Sequence, residues 1–204
     1  MGVMPRIRAA TTADVATIGA LIAAAFAEDE VLAQVWPFGC AGRAARMADY
    51  FAANVRLHHL PADAVTVAED DDRIVGVVVC DPPGSSQPTP LGWARSVPSS
   101  VLSIRARLIA AVRLRRALDE AQPVQPHWYG ALVATSPDHR RRGVARALIG
   151  HALRRCDAAG EPVFAVAPDP VLCPYLHSVG FRDAGGTIEV DGHELWPLWR
   201  EPNP

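Results

Sequence analysis

The stretch Ser136-Pro137-Asp138-His139-Arg140-Arg141-Arg142-Gly143-Val144-Ala145-Arg146-Ala147-Leu148-Ile149 holds the residues whose types and spacing point to chemistry. A strand pattern ends at Thr135, a turn built on Pro137-Asp138 follows, and a helical pattern opens near Gly143. The first turn of a helix presents unpaired N–H groups and the positive end of its dipole, so it binds anions. Gly143 and Ala145 remove bulk where a phosphate would approach the backbone, and three consecutive arginines add charge. The pattern is not a P-loop, which needs Gly-x-x-x-x-Gly-Lys-Ser/Thr. Nor is it the dinucleotide fingerprint, which needs Gly-x-Gly-x-x-Gly and an acid about 20 residues further on. A tight turn into a basic helix start also occurs in a purely structural role, so spacing alone leaves both readings open.

Arg140-Arg141-Arg142-Gly143-Val144-Ala145 resembles the Arg/Gln-x-x-Gly-x-Gly/Ala motif of the GNAT superfamily of acyl-CoA-dependent N-acetyltransferases. Its companions are present in order. Val133-Ala134-Thr135 stands where these enzymes have the strand end that pairs with pantetheine, and Ser136-Pro137-Asp138-His139 is the typical link. Val179-Gly180-Phe181 resembles the Leu-Gly-Phe that closes their short fourth helix. The likeness is strong over residues 128–181 and weaker over the rest of the chain. In layout it is closest to puromycin N-acetyltransferase-like members, through Ala24-Ala25-Phe26-Ala27, Ser136-Pro137-Asp138-His139 and a Trp-bearing last strand.

The resemblance implies an α/β fold of mixed type: a mostly antiparallel central sheet flanked by helices, with a parallel pair splayed around the cofactor. It implies one domain over residues 1–204, acetyl-CoA as co-substrate, no metal, and transfer of the acetyl group to the amine of a small molecule. Backbone groups of Val133 and Thr135, with Ala134 between them, would pair with pantetheine like an added strand. The segment Arg140, Arg141, Arg142, Gly143, Val144, Ala145 and Arg146 would hold the pyrophosphate, and a backbone N–H near Val133 would face the oxyanion. Acetyl transfer also needs a neutral amine and a protonated leaving thiolate.

Two positions depart from the family pattern. The usual acid is a Tyr five residues before the Phe of Leu-Gly-Phe, and here that position is Leu176. Tyr175 lies one residue earlier, turned by about 100° on a helix. Three explanations stand: an irregular turn around Pro174 brings Tyr175 in, another group such as His177 substitutes, or no acid is needed. For the base, relatives often carry a carboxylate on the strand entering the cofactor site, whereas this strand offers His127 and Tyr129, on one face by period two. Water leading to bulk would also serve. Glu28, Asp29 and Glu30 could attract a cationic amine or could simply be solvated. Trp36, Phe38 and Trp128 could wall an apolar acceptor or belong to the core. A CoA-binding regulatory protein without transferase activity, and a protein N-acetyltransferase, are the alternative functions.

The elements that must position these residues follow from periodicity. Residues 5–10 read as a strand and residues 12–26 as a helix, opened by a capping box at Thr11 and Asp14. A second helix covers residues 41–59. Strands at 65–69 and 73–80 form a hairpin around Asp70-Asp71-Asp72, the second apolar enough to lie inside a sheet. Residues 81–100, rich in Pro, Ser and Gly, form a long loop. A basic amphipathic helix follows over 101–118, with Val101, Ile104, Leu108, Val112 and Leu118 on one face. Then come a strand (128–135), a helix (143–159), a strand (163–167), a short helix (170–178) and strands near 181–184 and 194–199. This alternation requires at least one parallel pair.

Composition narrows the partners. Of 204 residues half are apolar, 21% are charged, and the net charge is −2. That is a globular chain with no global attraction to nucleic acid or an anionic membrane. All 20 basic residues are arginine, which fits a codon bias more than a chemical need. Residues 18–27 imitate a signal peptide behind Arg6 and Arg8, but Asp14 and the capping box make a packed helix the better reading. Cys40, Cys80, Cys156 and Cys173 form no Cys-x-x-Cys, and the seven histidines, among them the pair His58-His59, show no i, i+4 spacing. Reduced thiols, no metal site and a cytoplasmic monomer or homodimer are the expectation.

Overall fold

The computed structural model of the chain describes residues 5–85 and 105–203, apart from the side chains of 105–108, 110 and 111. β1 (Arg6–Ala9) leads through a 3-10 turn into α1 (Val15–Ala25). The Asp14 carboxylate accepts from the Thr11 N–H at 2.7 Å, and Arg8 donates two further bonds to it at 2.8 and 3.0 Å. Arg8 also reaches Glu69 at 2.7 Å, so one guanidinium fastens the start of α1 to two strands. That guanidinium holds the Asp14 carboxyl well below the usual carboxylate range.

α2 (Glu30–Ala33) is a single turn, capped by the Asp29 side chain accepting from the Leu32 N–H at 2.7 Å. α3 (Arg43–Asn54) continues into a π turn (Val55–His59) and a 3-10 turn (Leu60–Ala62). β2 (Val65–Asp70) and β3 (Arg73–Asp81) form the expected hairpin, with Asp71 and Asp72 both at positive φ as its tight turn requires. α4 (Arg105–Glu120) carries the basic helix. Most of the Pro/Ser-rich loop, and Val101 and Ile104 of the expected helix face, fall outside the described residues. Of the expected face Val112 is exposed, whereas Leu118 turns inward as expected and Leu114 joins it.

β4 (Trp128–Thr135), α5 (Val144–Ala159), β5 (Val163–Ala167) and α6 (Cys173–Ser178) follow the predicted alternation. The chain ends in β6 (Arg182–Asp183), β7 (Ile188–Val190) and β8 (His193–Arg200). The strands lie in the order β1-β2-β3-β4-β5-β8-β6, with β7 on β8. Every pairing is antiparallel except β4–β5. This is the mixed α/β fold expected.

One face of the sheet buries α1 through Ile18, Leu21 and Ile22 against Val67, Val77 and Val79. The stretch that imitates a leader is thus a core helix. The other face buries α5 through Val144, Leu148, Leu153 and Cys156 against Val75, Val163 and Leu198. All four cysteines are free thiols, and contact with Cys156 together with burial pushes the Cys80 thiol up. Among the described residues no helix is long and apolar enough to cross a membrane, and no group of three His, Cys, Asp or Glu could hold a metal ion.

α5 comes close to the sheet because β3 has no side chain at Gly76. A Cβ there would lie 2.6 Å from Val144 Cγ1 and 2.9 Å from Leu148 Cδ1. Val144 opens α5 and is stiff at χ1, so it cannot swing aside freely. Gly76→Ala is therefore expected to destabilise the protein by about 1–3 kcal/mol, the usual cost of overpacking. The midpoint of urea unfolding measures this, and an unchanged midpoint would show that α5 has slack at its first turn.

Candidate active site

β4 and β5 are parallel for only three pairs, Trp128↔Val163, Tyr129↔Phe164 and Gly130↔Ala165, after which they part. Beyond Gly130, β4 keeps its register with β3 alone, so the edge that faces β5 has no strand partner among the described residues. Backbone N–H and C=O groups need partners, and such an edge can accept an extended ligand as one more strand. The register of β4 on β3 slips at this point, Val79 facing Leu132 while Cys80 faces Gly130, so Ala131 is the extra residue of a bulge. The bulge exchanges the two faces of the strand. Trp128 and Val133 pack with α5, whereas Leu132 and Ala134 pack with α1. A cavity of about 340 Å³ opens where the strands part, lined by Tyr129 to Val133, Ala165 to Pro168 and Leu176.

At the far end of β4 the chain turns into α5. Arg141 and Gly143 both adopt left-handed backbone, φ 59° and 83°. Gly143 caps the helix, and a Cβ built on it would meet nothing within 4 Å. The start of this sixteen-residue helix is thus open, which suits a phosphate on its N–H groups. Arg141, Arg142 and Arg146 are exposed around it. Arg140 is committed differently, its guanidinium donating to the Ala25 carbonyl at the end of α1 at 2.7 Å. The Thr135 hydroxyl, at the junction of strand and turn, is buried without a hydrogen-bond partner among the described residues.

A second cavity of about 230 Å³ adjoins the first and shares Tyr129, Ala131 and Leu132 with it. Trp36, Tyr50, His59 and Asp81 are among its walls. His59 Nδ1 lies 2.7 Å from Asp81 Oδ1, and Asp81 is buried. Burial, with His59 and Arg115 nearby, lowers the pKa of His58. Burial also pushes the Tyr129 phenol up to about 12.

A profile of the Acetyltransferase (GNAT) family matches residues 29–181. The chain belongs to this family. It is a GNAT N-acetyltransferase with acetyl-CoA as donor. A structure described as histone acetyltransferase HPA2 and related acetyltransferase, from Corynebacterium glutamicum, is 27% identical and matches with TM-score 0.76 over 99% of this chain and 98% of that one. An N-acetyltransferase from Staphylococcus aureus Mu50 is 17% identical, TM-score 0.68, over 95% and 99%. A Drosophila melanogaster polyamine N-acetyltransferase that forms N-acetylagmatine is 15% identical, TM-score 0.65, over 96% and 99%. The last two share the fold alone. These likenesses support GNAT membership without singling out the puromycin N-acetyltransferase-like layout.

Within this GNAT fold the expected cofactor residues stand together: Val133, Ala134 and Thr135 on the open edge, Arg141 to Arg146 at the helix start. The expected catalytic residues are scattered. Tyr129 faces both cavities, but a phenol near 12 holds its proton at neutral pH, so it is a hydrogen-bond donor and not a base. His127 shares its face as expected, the two rings flanking Phe164 at 5.7 and 6.3 Å. Yet His127 lines neither cavity, and its Nδ1 sits 2.8 Å from the Gln125 carbonyl. No irregular turn interrupts α6, so Leu176 and not Tyr175 lines the cleft. The Tyr175 hydroxyl is buried without a partner among the described residues, near the charge of Arg146. Asp29 serves as the cap of α2, and the Trp128 ring packs in the α5 core under Arg155. Sequence reasoning misses His59 and Asp81, for a contact across 22 residues leaves no spacing to recognise.

Gly143→Ala places a methyl in the open space at the helix start and strains φ by roughly 1–2 kcal/mol. CoA affinity, measured by isothermal titration calorimetry, is expected to fall about tenfold or more, one decade being about 1.4 kcal/mol. Unchanged affinity in the folded variant would remove this helix start from the phosphate site.

Proposed function

We propose that this GNAT enzyme moves the acetyl group of acetyl-CoA to the amine of a small molecule. The observation that carries the proposal is the meeting of two cavities at residues 129–132 of β4, one in the cleft between the splayed strands and one beyond it. A thioester lying in the first meets an amine lying in the second across Tyr129, Ala131 and Leu132. A cavity of about 230 Å³ suits a small acceptor better than a length of polypeptide.

In this reading the edge of Val133, Ala134 and Thr135 pairs with pantetheine, and the Thr135 hydroxyl gains the acceptor it lacks. The N–H groups of residues 141–146 hold the pyrophosphate, with Arg141, Arg142 and Arg146 adding charge. Arg140 acts indirectly by anchoring this turn to α1. A backbone N–H near Val133 faces the developing oxyanion. Tyr175 donates the proton that the departing thiolate needs, once its ring turns from its place beside Arg146 into the cleft that Leu176 lines. Its hydroxyl is buried without a partner among the described residues, and burial raises its pKa above the usual phenol value, so the proton is present at neutral pH. Every group named belongs to a single chain.

Release of free thiol from acetyl-CoA across a panel of small amines tests the function. Turnover on at least one amine is expected. CoA binding with no turnover on any amine would favour a regulatory CoA-binding role instead. Tyr175→Phe should lower kcat roughly 100-fold with little change in KM for acetyl-CoA, the typical effect of losing a general acid. An unchanged kcat would show that the thiolate leaves without help from Tyr175.

A further inference from the structure

We infer that His59, held by Asp81, takes the proton from the acceptor amine, and that the cavity around it selects a monoamine carried on an aromatic or apolar body. This rests on the transferase reading above. His59 ends the π turn that extends α3, and Asp81 ends β3, where it is in register with Tyr129 of β4. The dyad therefore stands beside the strand segment that both cavities share. A carboxylate accepts and cannot donate, so the proton of the His59 ring sits on Nδ1, in the 2.7 Å contact to Asp81. In the neutral ring the lone pair is then on Nε2, which makes no hydrogen bond to a described residue. The imidazole is not sealed in the core, for its side chain is 19% exposed. This is the arrangement in which a buried carboxylate orients an imidazole to act as a base.

The neighbours are consistent with that role. His58 comes from the same turn with its pKa lowered by burial, Arg115 approaches from α4, and Tyr129 on β4 keeps its proton. Asp119, also on α4, acts on Tyr129 from outside the lining. Asp81 is the sole carboxylate among the described lining residues, and it is already engaged by His59. A second cationic centre, such as a polyamine carries, would meet Arg115 and His58 with no acid to receive it. Of the other walls, Asn54 donates to the Tyr50 carbonyl and Ser85 to that of Pro82, and the rest are rings and aliphatic groups. Trp36 and Tyr50 pack at 5.0 Å between centroids, and the Trp36 indole N–H is buried without a partner among the described residues. Such a site welcomes an apolar body with one acceptor atom for that N–H.

The proton balance closes. An alkylammonium near pKa 10.4 must first lose a proton, which passes through Nε2 to water. As the N–C bond forms and the C–S bond breaks, the nitrogen loses a second proton to Nε2 while the thiolate takes one from Tyr175. His59 then returns its proton through solvent, and the phenol is restored.

The test uses 2-phenylethylamine and putrescine as acceptors, with acetyl-CoA, from pH 6.5 to 10, on the wild type and on His59→Gln and Asp81→Asn. The wild type should prefer 2-phenylethylamine at least tenfold in kcat/KM. His59→Gln should lose roughly 100-fold at pH 7, and the deficit should shrink toward pH 10 as the amine deprotonates unaided. Added imidazole should restore part of it. Asp81, a positioning residue, should give a smaller loss with the same pH form. CoA affinity should be unchanged in both variants. A deficit equal at every pH, or loss of CoA affinity in both variants, overturns the base. Preference for putrescine overturns the substrate class. No turnover by the wild type on any amine would instead remove the transferase reading on which the inference stands.

Discussion

Two parallel strands that pair for three residues and then separate impose the constraint on which the rest of the structure depends. Parting exposes a row of main-chain donors and acceptors inside the protein, and such groups are costly unless something pairs with them. The bulge at Ala131 falls at the point of parting and re-aims the rest of β4. α5 must start where that edge ends, which Gly76 permits by letting Val144 lie against β3. At the other side of the cleft, Arg200 holds the frame. It is almost fully buried, bonds Asp157 of α5 at 2.6 and 3.0 Å, and donates to the Val179 carbonyl at 2.9 Å. α5, β8 and the corner after α6 are thereby joined through one guanidinium. Gly180, at φ 98°, makes room, since a Cβ there would sit 3.3 Å from Arg200 Nε.

The backbone around the expected cofactor residues was legible in the sequence, and the side chains that could do chemistry were not. A strand, a turn with a left-handed glycine and a helix start are encoded locally. Val133 to Arg146 therefore announces itself, and the boundaries of β4 and β5 match their apolar runs. Catalytic side chains carry no such local grammar. Tyr129 and His127 share a face by period two, as expected, but which of them reaches a cavity depends on Phe164 and on how the sheet continues past them. His59 and Asp81 meet only because a π turn at the end of α3 comes against the end of β3. α2 and β7, of four and three residues, are too short for periodicity to register. On α4 the apolar stripe is interrupted by arginines, so Leu118 was legible as an inner position while Leu114 was hidden behind a neighbouring pattern through Val112.

The position of Leu176 shows how a family motif can keep its backbone and change its chemistry. α6 is regular, and Leu176 takes the cleft-lining place with an aliphatic side chain. Tyr175, one residue earlier, is turned toward the charge of Arg146 at the first turn of α5.

The absence of lysine acquires a meaning beside a thioester. The exposed cations around the helix start, Arg141, Arg142 and Arg146, are guanidiniums, which keep their charge across the working pH range and are poor nucleophiles. A lysine ε-amine that reached the thioester would compete with the acceptor for the acyl group. Nowhere along these 204 residues does a side chain offer one. None of its own side chains can therefore trap an acyl group as an ε-amide.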